Sequence, residues 1–140
     1  MDQIDEVVQA ENELLNALRS GALLKGVAMH LDSPDYRNIW SGELKTFDQL
    51  RSRIEAAIGG GLVSIDYQVS ERDLYILDGS NVMTTLTATE TTHMRDGRST
   101  TSPTTIISIL WRKINTKWWL AYLHASEKPG DPSSPSWKDG

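Results

Sequence analysis

The sequence predicts an α+β domain, with helices first and a meander of long strands after them. Apolar side chains recur at helical spacing over residues 2–20 and 46–58. After the run Gly59-Gly60-Gly61 the period changes to two. Asp96-Gly97 and Asn115-Thr116 then fall where tight hairpins join successive strands.

The first element, "DQIDEVVQAENELLNALRSG", carries Ile4, Val7, Val8, Leu14, Leu15 and Leu18 at helical spacing. Asp2 is placed to cap it, and Gly21 to end it. "ALLKGVAMHL" reads as a second, short helix, with His30 near the carbonyls at its end. "DYRNIWSG" reads as a short strand closing on a Ser-Gly turn. In "TFDQLRSRIEAAIGGG", Thr46 and Gln49 form a capping box, and Phe47, Leu50, Ile54 and Ile58 form the buried stripe. Val63, Ile65, Tyr67 and Val69 then alternate with polar residues as a strand. "DLYIL" and "NVMTTLTATETTHM" are further strands joined through "DGSN". "TTIISILWRKI" and "KWWLAYLHAS" follow, turned by "NT". The end, 128–140, is a Pro/Ser/Gly tail whose composition predicts disorder, with Trp137 as a possible tether, so the domain itself is expected to span 1–127.

Length and charge bound the class. At 140 residues the chain suits one domain with a real core. A net charge of −5 argues against nucleic acid as a partner. With no cysteine there is neither a disulfide framework nor thiol chemistry. No apolar run approaches the roughly 20 residues of a membrane span. The acidic, amphipathic start is unlike a signal peptide, so a cytoplasmic protein is the expectation. The 3 histidines lack metal-ligand spacing, and no phosphate-binding glycine motif or nucleophile elbow occurs, so neither metal nor cofactor is expected.

The two hairpin signals set a register for the last three long strands. One face then carries Val82, Thr84, Leu86, Ala88 and Glu90. Beside them come Trp111, Ile109, Ile107 and Thr105, then Leu120, Tyr122, His124 and Ser126. That face is apolar at one end and polar at the other, as a pocket wall is. Pro103 interrupts the ladder and marks a bend. The opposite face mixes threonine with medium apolar residues and is expected to pair with a second copy.

A leading helix, a short strand ending "WSG", a "TFDQL" helix and a final "W-x-x-x-Y-x-H-x-S" resemble the nuclear transport factor 2-like superfamily. They look most similar to its SnoaL-like branch, including domains like the calcium/calmodulin-dependent kinase II association domain. The resemblance covers roughly residues 2 to 127, and its strongest part is "ILWRKINTKWWLAYLHAS". It implies a cone: a strongly curved antiparallel sheet wrapped around N-terminal helices, the cystatin-like α+β barrel, with a pocket inside and a homodimer. It does not choose among the activities that share this fold. The carboxylate base of the isomerase-like members is matched here by Asn38, which cannot serve, and the Asp–Arg–Asp set of the epoxide hydrolases has no match.

His124 is the first catalytic candidate, as a general base or acid, because an imidazole titrates near neutral pH. The alternative is a buried histidine tied to Thr105 or Glu90. Glu90 is placed to orient His124 or act as base, or else ends a solvated strand. Tyr122 is placed to donate to a developing oxyanion, or else is a core tyrosine. Tyr36, Asn38, Trp40, Tyr67, Trp111 and Ser126 are expected to line the pocket. Three functions fit. One is a binding protein for a small hydrophobic molecule. The second is a cofactor-free isomerase, cyclase or dehydratase on a small hydrophobic carbonyl compound. The third is an oligomerisation module.

Overall fold

The computed structural model describes residues 1–128. Except for Lys128, the tail expected at 128–140 lies outside them. Helix α1 (Gln3–Arg19) begins where the Asp2 carboxylate accepts the Asp5 N–H at 2.8 Å. Gly21, at φ 89°, turns the chain where an added Cβ would lie 3.0 Å from the Val63 carbonyl oxygen. The short α2 (Leu23–Val27) and strands β1 (Arg37–Trp40) and β2 (Glu43–Lys45) follow. Thr46 and Gln49 close the expected capping box on α3 (Phe47–Gly59). The strands are β3 (Leu62–Asp78), β4 (Asn81–Met94), β5 (Ser99–Thr101), β6 (Thr105–Ile114) and β7 (Lys117–Glu127).

The sheet runs β2-β1-β7-β6-β4-β3, with β5 added on β4. It is mixed rather than wholly antiparallel, because β1 pairs parallel to β7. The two regions expected as separate strands, around Tyr67 and "DLYIL", form one 17-residue strand, β3. Bulges at Val63 and Ser70 let it bend instead of ending. Val63 is therefore exposed, against the alternation expected of it.

Curvature is visible in one contact. Trp40 on β1 and Tyr67 on β3 are separated in the sheet by β7, β6 and β4, yet their ring centres lie 6.3 Å apart. A flat sheet would hold them several strand spacings apart, each about 4.8 Å. The sheet curls around α1 and α3 without closing, and the core fills the concavity: Val7 and Leu14 from α1, Phe47 from α3, and Val82, Leu86, Ile107, Ile109, Trp111, Leu120 and Leu123 from the strands.

The register of β4 on β6 is the expected one: Val82 faces Trp111, Thr84 faces Ile109 and Ala88 faces Thr105. The Asp96-Gly97 hairpin is not the expected two-residue turn: the Met94 N–H donates to the Arg98 carbonyl and His93 faces Ser99, one residue off, and the offset is recovered between Thr101 and Thr105. The register of β6 on β7 also holds from Ile114–Lys117 to Trp111–Leu120. There it slips by one, because Tyr122, not Ala121, faces Leu110. Ala121 is an extra residue, and every side chain after it sits on the face opposite to the expected one. The slip falls where residues 29–31 dock: the Leu120 N–H donates to the Met29 carbonyl and the Leu31 N–H to that of Leu120.

Candidate functional site

The concave face holds a cavity of about 420 Å³. Its floor is apolar, formed by Leu86, Ile107, Ile109 and Leu123 from the sheet and Leu14 and Leu18 from α1. Two polar groups break that lining. On the β3–β4 wall, Tyr67 and Glu90 are cross-strand partners, and the Tyr67 hydroxyl donates to Glu90 Oε2 at 2.5 Å. Burial, reinforced by the Glu90 charge, pushes the Tyr67 phenol well above its ordinary range, so it stays a neutral donor. Glu90 is fixed from behind: its N–H donates to the Ser102 hydroxyl at 2.9 Å, and its carbonyl accepts the Ser102 N–H. Pro103 thus bends the chain after a residue that still pairs with β4, and Glu90 keeps the inward orientation of Leu86 and Ala88.

The second polar group lies on the α2–β1–β2 wall. His30 is buried at the end of α2, and its Nδ1 pairs with the Gly26 carbonyl at 3.0 Å, the helix-capping role its position predicts. A carbonyl only accepts, so Nδ1 carries the proton and Nε2 is left as an acceptor. Burial lowers the His30 pKa to about 4, the Gly26 and Val27 carbonyls opposing the shift, and the ring is neutral at pH 7. Its edge meets the ring of Tyr36, centres 5.7 Å apart. The Tyr36 hydroxyl accepts from Asn38 Nδ2 at 3.2 Å. Asn38 faces Lys45 across the β1–β2 pair, and both line the cavity. Glu43 and Arg53 stand at its rim, joined by hydrogen bonds of 3.0 and 3.1 Å that hold the Glu43 carboxyl below its usual range, with Lys45 adding to the effect.

Of the residues singled out from sequence, Asn38, Trp40, Tyr67 and Glu90 come together around the cavity. Tyr36 and Trp111 do not line it and are core residues at 1% and 0% exposure. Trp111 is held instead by Glu11, whose Oε2 accepts from the indole N–H at 3.0 Å and from the Thr84 hydroxyl at 2.7 Å. Tyr122, His124 and Ser126 are corrected outright. The extra residue at Ala121 turns them to the convex face, where Tyr122 is half-buried and His124 and Ser126 are exposed. Leu123 and Ala125 take the inward places. The expected tie between His124 and Thr105 or Glu90 is therefore not made.

Sequence reasoning passed over His30 as a cavity residue, and also Lys45, Glu43 and Arg53. A 3-residue strand carries too little periodicity to assign a face to Lys45. The only hint of the Ala121 slip is that Leu123 and Ala125, not His124 and Ser126, are the apolar residues at the strand's end, because Trp118 to Leu123 are all apolar and carry no alternation. Among the described residues no three His, Asp or Glu side chains are placed to hold a metal ion, and no helix is long and apolar enough to cross a membrane.

No protein-family model and no curated protein matches the sequence. Solved structures do. A nuclear transport factor 2-like superfamily protein from Salmonella enterica superposes with a TM-score of 0.75 over 94% of this chain and 96% of its own, at 19% identity. The chain has the nuclear transport factor 2-like fold. A candidate calcium/calmodulin-dependent protein kinase II association domain from Xanthomonas campestris has the same fold, with a TM-score of 0.75, 17% identity, and 92% and 90% of the two chains covered. So does a candidate dehydratase from Streptomyces avermitilis, at 0.72, 15% identity, and 89% and 96%. At such identities the likeness extends to the nuclear transport factor 2-like architecture, a sheet curled over helices, and not to any one activity.

Proposed function

We propose that this chain binds a small hydrophobic molecule inside the cone. One observation carries the reading: the concave face is not packed solid but encloses a cavity of about 420 Å³ with an apolar floor and a few convergent polar groups. That volume lies within the range of small-molecule sites, about 300–1,000 Å³. The test uses a neutral fluorescent probe, N-phenyl-1-naphthylamine. Its emission should rise on the wild type, and Ile54→Trp, which places an indole into the cavity from α3, should suppress the rise. A wild type that leaves the probe dark sinks the reading.

The Tyr67–Glu90 pair supports a second, catalytic reading. A carboxylate on an apolar cavity wall suits proton abstraction beside a carbonyl, with the Asn38 amide available to polarise the carbonyl oxygen. No cofactor enters this chemistry. It is the isomerase, cyclase or dehydratase alternative with Glu90 in place of His124 as the base. Deuterium exchange at the carbon next to a bound ketone should then occur with the wild type and stop with Glu90→Gln.

The convex sheet face supports a homodimer. Its central rows bring together Tyr75, Met83, Leu110 and Tyr122, and beside them Ile39, His124, Ser108 and Thr85. Tyr75 is 68% exposed in the single chain, a large apolar ring suited to burial against a second copy. Sedimentation should give a dimer, and Leu110→Lys should give a monomer that keeps the fold.

A further inference from the structure

We propose that the ligand of this cavity is an amphipathic monocarboxylate whose head is bound by Lys45. The proposal rests on the cavity being a binding site and names the class of molecule it takes.

The Lys45 side chain is 11% exposed, and among the described residues its only ion-pair partner is Glu43, at 3.3 Å. That partner is a poor one. Glu43 is 58% exposed and already accepts two hydrogen bonds from Arg53, at 3.0 and 3.1 Å. An ammonium group has three donors. Taking one out of water is costly unless it is paired and hydrogen-bonded, and an exposed carboxylate shared with an arginine offsets little of that cost. The other polar groups of the cavity give no anion to this wall. His30 is uncharged, Asn38 is an amide whose Nδ2 already donates to Tyr36, and Glu90 is engaged by Tyr67. A single anionic head on Lys45 would complete its coordination and leave Glu43 to Arg53.

The rest of the cavity defines the rest of the ligand. Leu14, Leu18, Leu86, Ile107, Ile109 and Leu123 offer nothing to a polar body and suit an alkyl or aryl one. One ammonium balances one charge, so a monocarboxylate matches Lys45.

The experiment compares decanoate with decan-1-ol by isothermal titration at pH 7.5, using the full chain. They share a tail and differ in the head. The wild type should prefer decanoate by about ten-fold or more, the scale of one desolvated charge pair. In Lys45→Met, which keeps the stem and removes the charge, the affinity ratio should fall to about one. Glu43→Gln should move the other way and tighten decanoate, because it removes the carboxylate that competes for Lys45. Equal wild-type affinities would overturn the proposal while leaving the cavity reading standing. A preference that survives Lys45→Met, or a Glu43→Gln variant that binds decanoate more weakly, would overturn it as well. If neither compound binds, the cavity reading falls and this proposal with it.

Discussion

Lowering the pH from 7 to 5 should destabilise this protein by about 2 kcal/mol through His30 alone. Unfolded, the imidazole titrates near 6.5; folded, burial lowers its pKa to about 4. Between those values the unfolded chain binds more protons than the folded one, so stability falls as pH falls. Integrated from pH 7 to 5 the loss is about 2 kcal/mol, and below the folded pKa it approaches about 3 kcal/mol, at 1.36 kcal/mol per pKa unit. The lowered carboxyls of Glu6, Glu43 and Asp78 act in a lower window, losing their contribution as the pH falls through and below their unfolded values near 4.5 or 3.8. Urea unfolding followed by tryptophan emission, at pH 7, 6 and 5, measures the loss. Trp111 and Trp118 are both buried and report the transition. His30→Asn keeps a donor for the Gly26 carbonyl and removes the titration, so its stability should be nearly flat across the window. A flat wild type, or a variant that loses as much as the wild type, would falsify the burial of a neutral His30.

Leu123→Ala should cost about 2–5 kcal/mol, whereas His124→Ala should change stability by less than about 0.5 kcal/mol and leave probe binding intact, because only Leu123 faces inward after the Ala121 bulge. The same urea assay measures both. Arg72→Leu should cost about 3–5 kcal/mol by leaving Glu11 as a buried charge, and adding Glu11→Gln should recover part of the loss, a coupling that a double-mutant cycle reads directly. Tyr67→Phe should leave the fold intact and alter ligand affinity or exchange rate, because the hydroxyl it removes bonds Glu90 in the cavity wall.

The fold was legible because its signals are redundant. Caps at Asp2 and Thr46, the glycine stop and two tight turns each fix an element without the others. The β6–β7 turn even shows its geometry in one residue: Asn115 takes φ 61°, a left-handed position asparagine tolerates. Register on β4 and β6 matched the expected pairs, although the Asp96-Gly97 turn itself pairs β4 with β5 one residue off, and the chain regains that residue only around Pro103. The site was less legible because a face assignment is parity, and one extra residue reverses it. Ala121 removed Tyr122, His124 and Ser126 from the pocket at a stroke, while Glu90 kept its place because no bulge intervenes between it and Val82 on β4. The buried Glu11–Arg72 pair left no trace in the pattern. Glu11 sits among the polar letters of an amphipathic helix, and only the curl of the sheet brings Arg72 to within 2.9 Å of it.

That pair also explains how the molecule separates stability from binding. Glu11 is fully buried and joins α1 to β4 through Thr84, to β6 through Trp111 and to β3 through Arg72, so one carboxylate ties the helix to three strands. Arg72 Nε and Glu11 Oε1 lie 2.9 Å apart without a well-directed hydrogen bond, so the contact between them is mainly charge on charge. A buried pair of this kind contributes little over an apolar replacement, but it penalises any other seating of α1, which would strand a charge. The helix is thereby held at a fixed height over the sheet, and the space above it, from Leu14 and Leu18 to the rim at Glu43 and Arg53, stays open rather than collapsing. Lys45, Glu43 and Arg53 belong to β2 and α3, away from that anchor, and their salt bridges lie at the rim. Substitutions there should therefore change what the cavity accepts at little cost to the fold, whereas the same chemistry placed at Glu11 or Thr84 would alter the fold before it altered a ligand.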